Sequence, residues 1–142
     1  MISNNLFSLV FAAKGKLKNK ISHGEQAVAV ALNQLHIDYK TEKLINLNKY
    51  NKTINWCRLD FYIPGNIPTI IEYNGRQHYE YVPDLQKSES DFIRQQERDS
   101  TLRNYCNLNN IKLIEIKYTV PYKDIKNKLQ EALAQSKSIH LM

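Results

Sequence analysis

The chain has 142 residues and a mass of 16.6 kDa, the size of one ordinary domain and too short for two well-cored ones. Its 42% hydrophobic and 24% charged content fits a globular fold and argues against disorder. Twenty Lys+Arg against 14 Asp+Glu leave a net charge of +6 and a pI near 9.3, which favours a polyanionic partner, nucleic acid first, without bearing on fold.

The first apolar stretch, Leu6 to Ala13 broken by Ser8, is far below the roughly 18 residues a membrane span requires. Lys14, Lys16, Lys18 and Lys20 follow it, whereas a secretory signal carries its charge in front. The expectation is a cytoplasmic protein with no membrane partner, whose residues 1–20 form a helical, basic extension. Ser22-His23-Gly24-Glu25 has the S-x-x-E form of a capping box, and Ala27, Val28, Ala31, Leu32 and Leu35 recur at helical spacing, predicting a helix from His23 to His36.

Tyr39 to Leu47 carries a weak strand signal. In Trp56 to Ile63, Leu59, Phe61 and Ile63 alternate with Arg58, Asp60 and Tyr62, the pattern of a half-buried strand. Pro64 to Pro68 interrupts, and Thr69 to Tyr73 resumes a β-rich run, so a β-hairpin is predicted. Ser90 is the expected cap of a long helix ending near Asn109. Ile111 to Tyr118 is expected as a buried strand, and Ile125, Leu129 and Leu133 mark a closing helix from Pro121 to Gln135 within residues 121–137. The order implies a single α/β domain, a mixed β-sheet containing a hairpin and flanked by α-helices. Cys57 and Cys106 lie too far apart for a zinc or redox motif, and the histidines form no H-x3-H or HExxH pattern, so no zinc site is expected.

Asp60 and Glu72 are equidistant from Asn66 at the middle of the hairpin loop. Symmetric pairing sets them face to face, where two like charges are destabilising unless neutralised. A divalent cation is a suitable neutraliser, and a basic protein brings the phosphate that magnesium shares with carboxylates. Two exposed acids on a solvated sheet face are the competing account, and spacing alone does not choose between them. After Glu72, Gly75 is placed to turn the chain, and Gln77 and His78 follow, the histidine a candidate for moving a proton. In the long helix, Phe92, Asp99 and Cys106 share a face, with Gln96 and Arg103 as neighbours of Asp99. Either Gln96, Asp99 and Arg103 point to the mouth of the sheet, or Asp99 and Arg103 form an i,i+4 surface ion pair. Glu25 has a capping role at its helix N-terminus that does not prevent it from entering the same site.

Glu25, then Leu59-Asp60-Phe61-Tyr62-Ile63-Pro64, Ile71-Glu72-Tyr73-Asn74-Gly75-Arg76-Gln77-His78, Gln96-x-x-Asp99-x-x-x-Arg103 and Ile111-Lys112-Leu113-Ile114-Glu115-Ile116, in that order, resemble the PD-(D/E)XK nuclease superfamily. Within it the likeness is to the branch of very-short-patch-repair and small phage or homing endonucleases, and it spans residues 22–118. The resemblance implies a restriction-endonuclease-like fold and a metal-dependent DNA endonuclease leaving 5′-phosphate and 3′-hydroxyl ends. It implies magnesium, with manganese able to substitute, on Asp60 and Glu72, with Glu25 completing the acidic cluster directly or through water. His78 takes the part of the branch's proton-transfer residue, Gln77 stands beside it, and Asp99 is the acid contributed by the following helix. The superfamily's lysine is replaced by Asn74, a substitution common in this branch, which leaves activation of the nucleophile to the metal, His78, Gln77 or a cation such as Arg103.

Contacts to double-stranded or branched DNA fall to Arg58, Asn74, Arg76, Arg98 and Arg103, with Arg94 and the N-terminal lysines as further phosphate contacts. Two rivals stand beside this: a junction resolvase or mismatch nickase, for which a homodimer is compatible, and a noncatalytic nucleic-acid-binding module on a nuclease scaffold.

Overall fold

The computed structural model describes residues 21–142, and the expected extension of residues 1–20, with its lysines, lies outside them. The elements are α1 (His23–Gln34), β1 (Lys40–Thr41), β2 (Leu44–Asn46), β3 (Trp56–Arg58), β4 (Phe61–Ile63), β5 (Thr69–Asn74), a 3-10 turn (Arg76–His78), α2 (Glu89–Leu108), β6 (Lys112–Lys117), α3 (Tyr122–Ala134) and β7 (Ile139–Leu141). Five strands form a mixed sheet in the order β1-β4-β5-β6-β7, antiparallel from β1 through β5 and parallel from β5 through β7. A separate antiparallel pair, β2-β3, lies beside it. Among the described residues no helix is long and apolar enough to cross a membrane.

Alternation along the central strands divides the core in two. Ile71 of β5 and Ile114 and Ile116 of β6 face Val28, Ala29 and Leu32 of α1 and Ile125 and Leu129 of α3. Ile70 and Leu113 face the other way, against Leu102 and Cys106 of α2 and Cys57 and Leu59 of the β3–β4 segment. The result is three layers, with α1 and α3 on one face and α2 with the small β-ribbon on the other. Lys112, on the α3 face, donates from its ammonium to the carbonyls of Ala132 and Gln135, satisfying the end of α3. Gly24 lies directly on the Tyr73 ring: a Cβ there would fall 2.0 Å from two ring carbons, so α1 can sit this close only without a side chain.

Helix ends follow local chemistry. Ser22 accepts from Glu25 N at 3.1 Å, as the capping box anticipates. The helix stops at Gln34 rather than His36, because His36 takes φ 57° and the Ile37 and His36 N–H groups return to Leu32 and Asn33 carbonyls, a Schellman closure. Asn110, at φ 53°, closes α2 in the same way, with Ile111 N donating to Cys106 O. Ser88 caps α2, accepting from Asp91 N, and the expected cap Ser90 instead lies inside the helix with its hydroxyl 2.8 Å from that of Ser88.

The hairpin is present in the expected register, Phe61 opposite Ile71 and Ile63 opposite Thr69. The expected single strand from Trp56 to Ile63 is two strands, however. It breaks at Leu59-Asp60, where the chain leaves the β2-β3 ribbon and enters the main sheet, while the buried positions Cys57, Leu59 and Phe61 keep their alternation across the break. The weak strand signal at Tyr39 to Leu47 likewise resolves into β1 and β2, in different sheets. Strand β7 follows the closing helix and was not anticipated, its three residues being too few to carry a period.

Candidate functional site

The β4–β5 register, carried one residue beyond the ladder, sets Asp60 against Glu72, and the two side chains are locked reciprocally into the backbone. Asp60 N donates to Glu72 Oε2 at 2.7 Å, and Tyr73 N donates to Asp60 Oδ2 at 3.0 Å. Glu72 is 7% exposed. Burial first, and the Asp60 carboxylate second, hold its carboxyl well above the usual carboxylate range; the Asp60 amide and the positive charge of Arg98 oppose them. Glu72 Oε1 accepts no hydrogen bond among the described residues.

Glu115 of β6 stands beside Glu72 in the parallel register. It is neutralised in place: Arg103 donates to it from Nε at 2.7 Å and from Nη2 at 2.9 Å, and Asn74 Nδ2 donates at 3.1 Å. Arg103 therefore serves Glu115, and the competing Asp99–Arg103 ion pair is not formed. Asp99 instead bonds His78, with Oδ2 2.8 Å from Nδ1, both side chains being nearly buried. Its other oxygen accepts from Gln95 Nε2 at 3.0 Å. Gln95, one helical turn before Asp99, takes the place expected of Gln96, which is exposed because it points off that face.

Several expected residues are thus brought together at the carboxyl ends of β5 and β6: Asp60, Glu72, Asn74, His78, Asp99 and Arg103. Arg98 belongs with them, since its charge reaches Glu72 and it lines an open groove of about 660 Å³ with Asp60, Arg58, Leu44 and Trp56. Arg76 is held on the surface by Glu80. Gln77 is half-buried beside Gly75, and its carbonyl accepts from Gln86 at 2.9 Å. Gly75 has φ −69°, so it needs no left-handed backbone; what its missing side chain leaves is room for the Gln77 amide.

Glu25 does not complete a three-carboxylate cluster. Among the described residues no three His, Cys, Asp or Glu side chains are gathered to hold an ion, and α1 packs on the Ile71 and Tyr73 face, opposite to Glu72. The Tyr79 to Lys87 connection is tied down at its ends, the Tyr79 hydroxyl lying 2.9 Å from His140 Nε2 and Gln86 bonding back to Gln77 and Val82, while Pro83, Asp84 and Leu85 between them are exposed.

Sequence reasoning did not single out Glu115 or Gln95 as site residues. Glu115 carried a usable signal, a charge inside an apolar run on the same alternation as Leu113. Gln95 carried one too, at i−4 from Asp99.

Three relatives come from viruses. The chain is 44% identical over 75 residues to "Uncharacterized protein 307L" of Invertebrate iridescent virus 6, a stretch covering 53% of this chain and 36% of that protein. It is 48% identical over 69 residues to "Uncharacterized protein 094L" of Frog virus 3, covering 48% of this chain and 43% of the other. A third, "Uncharacterized protein 033L" of Invertebrate iridescent virus 3, is 39% identical over 61 residues. The matched stretch spans less than half the length of each of these relatives. No family model and no solved structure matches.

Proposed function

We propose that this chain is a metal-dependent DNA endonuclease of restriction-endonuclease-like fold, hydrolysing phosphodiesters to 5′-phosphate and 3′-hydroxyl ends. The observation that carries the reading is the Asp60–Glu72 pair: two interlocked carboxylates, one of them buried beside the other without an arginine of its own. The donor set suits magnesium, which takes one or two protein carboxylates and completes its shell with water and substrate phosphate. Glu72, through Oε1, and Asp60 would hold it. When bound, magnesium, or manganese in its place, stabilises charge on the phosphate and eases deprotonation of the attacking water.

The chain's own groups supply the rest. Asp99 holds His78 at Nδ1, which favours the tautomer whose Nε2 is free to accept a proton. Gln95 fixes Asp99 in turn. Asn74 does not stand in for a catalytic lysine, because its amide is committed to Glu115. Arg98 is the cation whose charge reaches Glu72, and with Arg58 it lines the groove where a phosphate strand would lie. The net charge of +6 supports a nucleic-acid substrate, double-stranded or branched.

Supercoiled plasmid incubated with the purified protein in magnesium and in EDTA tests the reading. Relaxed or linear product in magnesium alone is the expected result. Intact plasmid together with intact junction and mismatch oligonucleotides, in magnesium and in manganese, contradicts it.

A further inference from the structure

The β2-β3 ribbon has an inner and an outer face. Ile45 and Cys57 point inward, while Leu44 beside Arg58 and Asn46 beside Trp56 point outward. Trp56 is 63% exposed and is the only tryptophan in the chain. It lies between two grooves: that of Asp60 and Arg58, and a second of about 410 Å³ lined with Arg94, Gln95 and Asp91; Arg98 lines both. Among the described residues Arg58, Arg94 and Arg98 make no ion pair. Asp91, the acid of the second groove, accepts from Lys87 N at the start of α2.

A large exposed indole beside arginines that make no ion pair among the described residues is poorly matched to an apolar protein partner, and well matched to a nucleic-acid strand. Aromatic faces stack unpaired bases while cations track the backbone, and neither interaction reads sequence. Because buried Cys57, Leu59 and Phe61 alternate with them, Trp56, Arg58 and Asp60 lie on the same side of the segment that leads from the ribbon to the bend at Asp60. At about 3.3 Å per residue, Trp56 stands about 13 Å from Asp60 along that segment. This is roughly four nucleotides of stacked strand at 3.4 Å each, and fewer when the strand is unstacked.

We infer that the outer face of the β2-β3 ribbon is a stacking platform on which Trp56 holds an unpaired base, so that DNA carrying unpaired nucleotides within a few positions of the reacting phosphate is taken in preference to fully paired duplex. The inference deepens the nuclease reading and rests on it for the position of that phosphate, but base stacking on Trp56 is measurable without cleavage.

Because Trp56 is the only tryptophan, its fluorescence reports the contact directly. The protein in EDTA is titrated with a labelled duplex bearing a single-stranded overhang and with a blunt duplex of equal length, binding being followed in parallel by anisotropy. Expected are quenching by the overhang substrate beyond that by the blunt one, and a loss of roughly ten-fold or more in overhang affinity in Trp56→Ala, within the range for removing an aromatic that stacks a base. Trp56→Phe should recover part of that loss, and blunt-duplex binding should be unchanged in both variants. Unmoved emission while anisotropy saturates, or an unaltered overhang preference in Trp56→Ala, overturns the inference alone. No binding to either oligonucleotide overturns the inference, and the nuclease reading then stands or falls on the plasmid test in metal. Quenching by the overhang in a protein that cuts no DNA in metal upholds the platform and removes the nuclease.

Discussion

Glu72 and Glu115 stand side by side in register on β5 and β6, and only Glu115 is met by an arginine. Two buried carboxylates on neighbouring strands would repel if both were left charged, so the bidentate Arg103 contact determines which of them stays open to another partner.

The open carboxylate should cost the metal-free protein stability. The Glu72 carboxyl titrates above its unfolded value, so the native state binds its proton more tightly, and the stability this provides is lost as pH rises through the native pKa. Glu72→Gln removes that titration and keeps an acceptor for Asp60 N. In EDTA its Tm should exceed the wild type's at pH 8, and the advantage should shrink as pH falls toward about 4.5, near the unfolded value. Thermal melts across that range check the sign.

Removing the arginine that serves Glu115 should act in the opposite direction. Arg103→Ala strands a carboxylate that retains only the Asn74 amide, at a cost of roughly 1 to 3 kcal/mol, below the full figure for a buried pair because the arginine side chain is 48% exposed. Arg103→Lys should recover only part, since an ammonium cannot make both bonds of the fork. Urea unfolding measures both.

In the proposed mechanism Asp99 acts through His78, which it contacts at Nδ1. Asp99→Asn should preserve the fold but let the imidazole choose the wrong tautomer, lowering cleavage roughly ten- to hundred-fold, the scale for losing a carboxylate that orients a functional histidine. With His78→Ala in the same chain, the two losses should fall well short of multiplying. Single-turnover rates of the two single variants and the double variant give the comparison.

Both cysteines should be inert in the folded protein. Burial pushes the Cys57 thiol up to about 11 and the Cys106 thiol up to about 12, so almost none is thiolate at pH 8. Thiol-reactive dye should therefore label neither until urea unfolds the chain, and then both together.

Much of this arrangement was legible in the chain. Asp60 and Glu72 could be paired because a hairpin's register follows from its turn, and the Leu59, Phe61 alternation fixed which side faced the core. The break at Leu59-Asp60 was not legible, since inward and outward positions keep alternating while the strand changes sheet. Partner choice on α2 was also out of reach: Arg103 suits Asp99 at i,i+4 as well as it suits Glu115, and only the packing of α2 against β6 decides for Glu115. The position of Glu25 relative to Asp60 and Glu72 was not legible either, because helix periodicity does not say which face of the sheet a helix covers.

The central claim is that Asp60 and Glu72 form the metal centre of a nuclease. Single-turnover cleavage of supercoiled plasmid in magnesium, by the wild type and by Asp60→Asn and Glu72→Gln proteins shown by melting to be folded, tests it most directly. The account predicts metal-dependent cutting by the wild type and a loss of roughly a hundred-fold or more in each variant, the scale of losing one principal electrostatic contact to the transition state. Cleavage by either folded variant at the wild-type rate would contradict it.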